Sequence, residues 1–466
     1  TLDNFLYFCR MKNLFVFIIL ALLSETAVQA KDIISGDWNG ELKVSPQISL
    51  KIVFHFSSAP DGTPAATMDS PNQGAYGIPC EVSFLSTDSV SLMVKQIGMS
   101  YVAHMHDGNL SGTFRQSPMT APLTLMPGTI AMRRPQSPQP PYPYTTTEVI
   151  FTTPAAGAML AGTLTIPENA TDTTPVVLMV TGSGQQNRDE EVFNHKPFAV
   201  IADHLARHGI ASLRYDDRGF GASSGDATAA TTRDFALDAK AGLEYLRSLK
   251  QFGKTGVLGH SEGAMIAFML GSNSDKDLSS NPDFIVALGA PSVQGDTILA
   301  DQSATLLRMS GVPQDIVDDY YSTVISLYRT YTSSGKDAAR KQIGELCANW
   351  ENNPIRAKLK ANLYKITDVI NPWISYFIST APDEFISGAK CPVFVALGSK
   401  DTQINPHLNM PKMQHLAPDA TVKLYDGLNH IFQHANTGAV QEYAVIEETI
   451  SPELLSDISK FISTIR

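Results

Sequence analysis

The sequence predicts an α/β protein: a mostly parallel sheet with helices on both faces and a helical cap insert, preceded by a small all-β domain. Three observations carry this. From about residue 145 apolar strands alternate with amphipathic helices, the rhythm of a parallel sheet covered on both sides. Residues 31–134 instead show short period-2 runs punctuated by Gly, Pro, Asn and Asp. Between them lies Arg134-Pro135-Gln136-Ser137-Pro138-Gln139-Pro140-Pro141-Tyr142-Pro143, whose prolines forbid a helix or a central strand.

The 466 residues, 43% hydrophobic and 17% charged, are enough for two domains with separate cores. With 35 basic against 46 acidic side chains the formal charge is −11, and there is no basic run. That argues against nucleic acid as a partner and leaves no polybasic patch for a membrane surface.

Residues 1–30 are read as an upstream extension and a secretory signal. Met11-Lys12 supplies the positive start, Leu14 to Leu23 an unbroken apolar run, and Val28-Gln29-Ala30 small residues for cleavage near Ala30. A secreted or periplasmic protein without stable membrane insertion is expected. Cys80, Cys347 and Cys391 remain; their spacing fits neither zinc nor a redox pair, and they read as small apolar residues.

In the all-β domain, 31–134, the clearest strand is Ile48–Phe56, whose even positions are all apolar. Others follow at Val82–Leu85, Val90–Ile97 and Tyr101–His106, with turns at Asp61-Gly62 and Asp107-Gly108-Asn109. A sandwich or barrel is expected. A stiff extended linker is assigned to 135–147 and the second domain to 148–466. There Val176–Val180 is a continuous apolar strand. A helix with Phe198, Ile201, Ala202 and Leu205 inward stops at Gly209, and Ile210–Tyr215 is the next strand. A helix from about Thr232, strands Val257-Leu258 and Phe284–Leu288, and a last helix opening at Ser451-Pro452 complete the pattern. Between Pro291 and Cys391 the alternation breaks, and a helical cap is expected at about 292–390.

The chemistry rests on Gly259-His260-Ser261-Glu262-Gly263. This G-x-S-x-G pattern directly follows an apolar strand and precedes the apolar helix Ala264–Leu270, as a nucleophile elbow requires. A serine hydroxyl needs a base to remove its proton, and an acid to orient the base. These should come later, each at the end of a strand. Pro392–Leu397 leads to Asp401, and Val422–Tyr425 leads to His430. Asp426 is a rival acid on the histidine's own loop, so Asp401 is preferred. Backbone N–H groups of Glu262 and Ser183, the latter in Thr181-Gly182-Ser183-Gly184, are the expected oxyanion donors.

These residues resemble the α/β-hydrolase superfamily and, within it, exported bacterial carboxylesterases with an N-terminal β-domain. The resemblance is carried by Gly182-Ser183-Gly184 with Arg188-Asp189, Arg214–Gly219, the elbow, Asn371-Pro372-Trp373, Gly398–Asp401 and Gly427–His430, and in the β-domain by Gly36–Gly40 and Met68–Pro71. Many relatives carry histidine where Thr181 stands. The resemblance implies an α/β-hydrolase fold and hydrolysis of small carboxylic esters, with short acyl chains expected, through an acyl-enzyme on Ser261 and without metal or organic cofactor. The alternatives are a serine peptidase of prolyl-oligopeptidase type, for which residues 31–134 are too few to form the usual propeller, and a binding protein whose β-domain holds sugar or lipid. His104 and His106 share a strand face without a third ligand, and His204 and His208 read as a polar helix face. His260 is expected beneath the elbow. Arg188, Asp189, Asp216 and Arg218 are expected in a buried ion network, and Trp373 and Tyr376 in the cap core or the acyl pocket.

Overall fold

A computed structural model describes residues 33–465 except 46–47, 60–61, 74, 129–132 and 154–156. The signal-like stretch lies outside the described residues. The chain divides into two compact units, one made of residues up to Ser70 with Tyr76–Ile130, the other of Pro71–Ala75 and Ala131–Arg466.

The first unit is a closed antiparallel barrel. Its strands are β1 (Gly36–Ser45), β2 (Ile48–Ser58), β3 (Pro64–Ser70), β4 (Ala75–Leu85), β5 (Ser89–Val94), β6 (Met99–His106), β7 (Asn109–Gln116) and β8 (Met119–Pro127). They follow one another in chain order, and β1 closes on β8 through Trp38↔Pro127 and Asn39↔Met126. Alternation along each strand sends Trp38, Phe54, Phe56, Met68, Tyr101, Phe114, Leu123 and Leu125 inward. Eight strands leave an interior that side chains can fill. Between β6 and β7, Asp107 and Gly108 both have positive φ (48° and 78°), as the two-residue turn of a twisted hairpin requires.

The second unit is built on an eight-stranded sheet of β9 (Tyr144–Thr153), β10 (Ala158–Pro167), β11 (Val176–Val180), β12 (Ala211–Tyr215), β13 (Thr255–His260), β14 (Ile285–Leu288), β15 (Val393–Gly398) and β16 (Thr421–Tyr425). The order is β16-β15-β14-β13-β11-β12-β10-β9, parallel except that β10 runs against both its neighbours. Val176, Leu178 and Val180 pack with the Thr232–Ser248 and Glu262–Gly271 helices; Val177 and Met179 pack with the Pro197–Arg207 and Pro452–Ser463 helices. One strand thus feeds two cores, which is why it reads as unbroken apolar sequence. After β11 the chain steps to β12 on one side and returns to β13 on the other. The crevice at the C-terminal ends of β11 and β13 is therefore a topological switch point, where open α/β sheets place their sites.

One boundary differs from the sequence reading. The 135–147 stretch is irregular only as far as residue 143, because β9 opens at Tyr144. It is also no free spacer within its unit. Arg134 donates to the carbonyls of Phe193, Ala444 and Ile446, and Gln136 bonds the 449–450 backbone. The β9–β10 hairpin, unread in sequence, lies at the sheet edge, where Thr145–Thr147 and Glu148 face outward.

Five helices fill the insert between β14 and β15: Gly295–Met309, Gln314–Leu346 (broken at Gly335), Pro354–Val369, Pro372–Ser379 and Asp383–Ser387. The first four share a core that includes Leu307, Tyr320, Leu327, Leu363 and Ile378, whereas Ile386 of the fifth packs in the core beneath the sheet. Cys80, Cys347 and Cys391 are all unpaired.

Candidate active site

The elbow forms where β13 turns into the Glu262–Gly271 helix. Ser261 adopts φ 56° and ψ −117°, a conformation that side-chain-bearing residues avoid and that concentrates at functional sites. Both glycines are required by contact. A Cβ at Gly259 would strike the Gly263 carbonyl, and one at Gly263 would strike the carbonyls of Val180 and Thr181. The elbow therefore packs directly on the end of β11. Ser261 N–H donates to Leu288 O at 2.8 Å, fixing the turn against β14.

Asp401 follows β15 and His430 follows β16. His430 Nδ1 lies 2.8 Å from Asp401 Oδ2, with side chains 5% and 0% exposed. The other oxygen of Asp401 accepts from the backbone N–H groups of Gln403 and Ile404, at 2.8 Å each. Three hydrogen bonds thus hold the buried carboxylate, which leaves it oriented and satisfied. Asp426, the rival acid, is exposed and accepts from Ser399 Oγ. The His430 loop is braced by paired bonds between Asn429 and Gln433. Buried His195 supports it from behind, touching Gln433 Nε2 and bridging Thr449 and Tyr443. Burial and the charge of Arg134 push the His195 pKa down to about 4, so the ring is neutral. Among the described residues no hydrogen bond joins Ser261 Oγ to His430. In a resting enzyme such a bond often tightens only with substrate.

The Thr181–Gly184 loop meets the elbow at Gly182, where an added Cβ would sit 3.3 Å from Ser261 Cβ. Gly182 N–H donates to Glu190 Oε1 at 2.8 Å. The next amide, that of Ser183, and the first helical amide, that of Glu262, have no protein acceptor among the described residues. The Glu262 carboxyl is buried and accepts from Thr232 Oγ1 (2.6 Å) and from Trp373 Nε1 (2.8 Å) of the cap. Burial raises its pKa, while hydrogen bonds from Thr232, Trp373 and the Ser183 side chain oppose that rise. Trp373 also stacks on Phe377 at 5.5 Å.

Other flagged residues fall into structural roles. Arg188 pairs with Asp216 and Glu148, Arg214 with Asp189, and Arg218 with Asp238. His204 and His208 stack at 4.1 Å and bond Ser459 and the His204 carbonyl. His104 meets Ser89, and His106 meets Asp107. Among the described residues no His, Cys, Asp or Glu group is arranged to hold a metal. Sequence reasoning missed Glu190, His195 and the Glu262 carboxyl; only the proximity of Glu190 to Arg188-Asp189 could have flagged one of them.

The model of a family described as serine aminopeptidase, S33, matches residues 195–337. Esterase EstD of Thermotoga maritima is 31% identical over 143 residues, which span 31% of this chain and 33% of EstD. Among solved structures, the Pyrococcus furiosus esterase Pf2001 aligns with 72% of this chain and 99% of its own at 18% identity and TM-score 0.42. A proline iminopeptidase of Mycobacterium smegmatis aligns with 68% of this chain and 98% of its own at 15% identity and TM-score 0.41. The strand order and the strained G-x-S-x-G elbow at the switch point are those of an α/β-hydrolase fold.

Proposed function

We propose that the protein hydrolyses carboxylic esters of short acyl chain through a covalent intermediate on Ser261. The observation that carries this is the buried His430–Asp401 pair at 2.8 Å, at the same sheet edge as the strained serine. In this reading Ser261 Oγ attacks the ester carbonyl while His430 Nε2 takes its proton. Asp401 holds the Nδ1–H tautomer and stabilises the imidazolium. The N–H groups of Ser183 and Glu262 receive the oxyanion, each contributing about 10²-fold or more. His430 returns the proton to the leaving alcohol, then activates the water that releases the acid.

The esterase name of EstD supports the choice of substrate. The family described as an aminopeptidase favours a second reading, cleavage of an aminoacyl amide by the same machinery. A sugar- or lipid-binding role draws no support from the barrel interior, which aromatic and aliphatic side chains fill.

The test is hydrolysis of p-nitrophenyl esters from acetate to long acyl chains, alongside aminoacyl p-nitroanilides, by the protein and by Ser261→Ala. Turnover of short esters that falls by ~10³ or more in the variant is expected. Undiminished turnover in Ser261→Ala would remove the serine from its role. Anilide cleavage without ester preference would select the peptidase reading.

A further inference from the structure

Beneath the elbow lies a second buried carboxylate–histidine pair that the mechanism above does not use. Glu190 Oε1 lies 2.8 Å from His260 Nδ1, with side chains 7% and 9% exposed. The same oxygen accepts the Gly182 N–H at 2.8 Å. On its other edge, His260 Nε2 lies 2.9 Å from the His430 carbonyl oxygen, and the two rings are 4.6 Å apart. A carbonyl can only accept, so Nε2 carries a proton. Nδ1 faces Glu190 Oε1, which also accepts from an amide, so the two side chains share a proton there. Burial alone would strip that proton; the charge and hydrogen bond of Glu190 outweigh it and raise the His260 pKa.

A buried ionisable pair is a poor source of stability, and the placement of this one suggests another use. It joins three segments that reach the site by separate routes: the loop after β11, the elbow after β13 and the loop after β16. Glu190 is itself held at φ 52°, disfavoured for a residue with a side chain.

We propose that Glu190 and His260 are positioning residues. Glu190 sets the oxyanion loop through the Gly182 N–H, one residue before the Ser183 donor, and His260 sets the base loop through the His430 carbonyl. His430 is then fixed at two points, its ring by Asp401 and its backbone by His260. The proposal rests on the serine-hydrolase reading above.

It is tested with Glu190→Gln, His260→Gln and His260→Asn in the full chain. The readouts are kcat and KM for a short p-nitrophenyl ester, the rate of Ser261 labelling by a fluorophosphonate, and the melting curve. A positioning role lowers kcat and the labelling rate together, by about 10–100-fold, with KM within about threefold. The Gln side chain can carry an N–H to where Nε2 stands, whereas Asn reaches only the Nδ1 position. His260→Gln is therefore expected to be about tenfold or more faster than His260→Asn. Glu190→Gln that melts cooperatively and keeps wild-type kcat would overturn the proposal. Should that variant not fold, equal rates for the two His260 variants would overturn it instead. Wild-type protein left unlabelled at Ser261 would sink the hydrolase reading itself, a result separate from either of these.

Discussion

At the scale of single residues, the site depends on how few atoms of Asp401 are free to do anything else. One oxygen is committed to two backbone amides and the other to His430 Nδ1. Asp401→Asn should keep the fold, yet its amide nitrogen would face a donor on one side or the other. The imidazole would then be driven to the wrong tautomer, and kcat should fall by ~10³–10⁴ with little change in KM. Wild-type kcat in that variant would remove Asp401 from the mechanism. Asp217 is a different kind of buried acid. Burial, aided by the charges of Glu262 and Asp238, raises its pKa to about 8, although the Gln186 amide and the Thr181 hydroxyl pull the other way. Its folded value exceeds its unfolded value of 3.8, so its contribution is complete below pH 4 and is lost as pH rises through 8. Melting of the second unit should therefore fall between pH 5 and 8, and Asp217→Asn should flatten that fall. An unchanged slope would show Asp217 to be ionised throughout. The placement of Ser261, Asp401 and His430 was legible in sequence because each follows a strand in a fixed chain order. The place of His260 beneath the elbow was legible too, but its partner Glu190 was not, because their pairing depends on three loops that meet only after folding.

At the scale of elements, a bond from Trp373 Nε1 to the Glu262 carboxyl ties the cap to the elbow. Asn371 caps the Pro372–Ser379 helix by accepting from Ile374 N–H, which sets the rotation that points Trp373 at the elbow. Trp373→Phe would keep the stacking on Phe377 but lose this donor. Leaving a buried acceptor without its donor costs about 1–3 kcal/mol, so KM should rise roughly tenfold or more with kcat within a factor of three. A change in preferred acyl length should accompany it. If kcat falls while KM holds, the bond serves the oxyanion amide of Glu262 and not the docking of the cap. Element reading from sequence was most accurate where a strand is buried on both faces, as in Val176–Val180, or where a proline marks the first turn, as at Pro452, although the Ser451 hydroxyl makes no cap bond. It was weakest at β9 and β10. An edge strand carrying Thr145, Thr146 and Thr147 outward has no continuous apolar signature, and the prolines before it suggested a longer linker than exists.

At the scale of the whole molecule, the contrast is between two ways of building a core. The second unit draws its sheet from residues 144–425, so its folding must close the long connection from β14 to β15 before those two strands can pair. In the barrel every neighbouring pair but the closing one is consecutive in the chain, and twenty buried apolar residues fill the interior. Residues 31–134 expressed alone should fold, with cooperative urea unfolding at a slope of about 1 kcal/mol per molar. This fragment carries a surface charge relay across three strands. His55 on β2 bonds Asp37 on β1 at 2.7 Å and Asp69 on β3 at 2.9 Å. Partial burial lowers the His55 pKa, but the two carboxylates outweigh it, and the net shift is upward. The protonated form is thus favoured by folding. Its contribution is complete below pH 6.5 and is lost as pH rises through the higher folded value. The relay is a third exposed and screened by solvent, so its effect should stay below about 1 kcal/mol. For a domain of this size that is a drop of a few degrees in melting temperature between pH 6 and 9. His55→Gln should melt at the lower temperature throughout and show no such drop. A fragment that is unfolded, or whose melting ignores both pH and the substitution, would mean that the barrel needs the rest of the chain, or that the relay is stabilised no more in the folded state than in water.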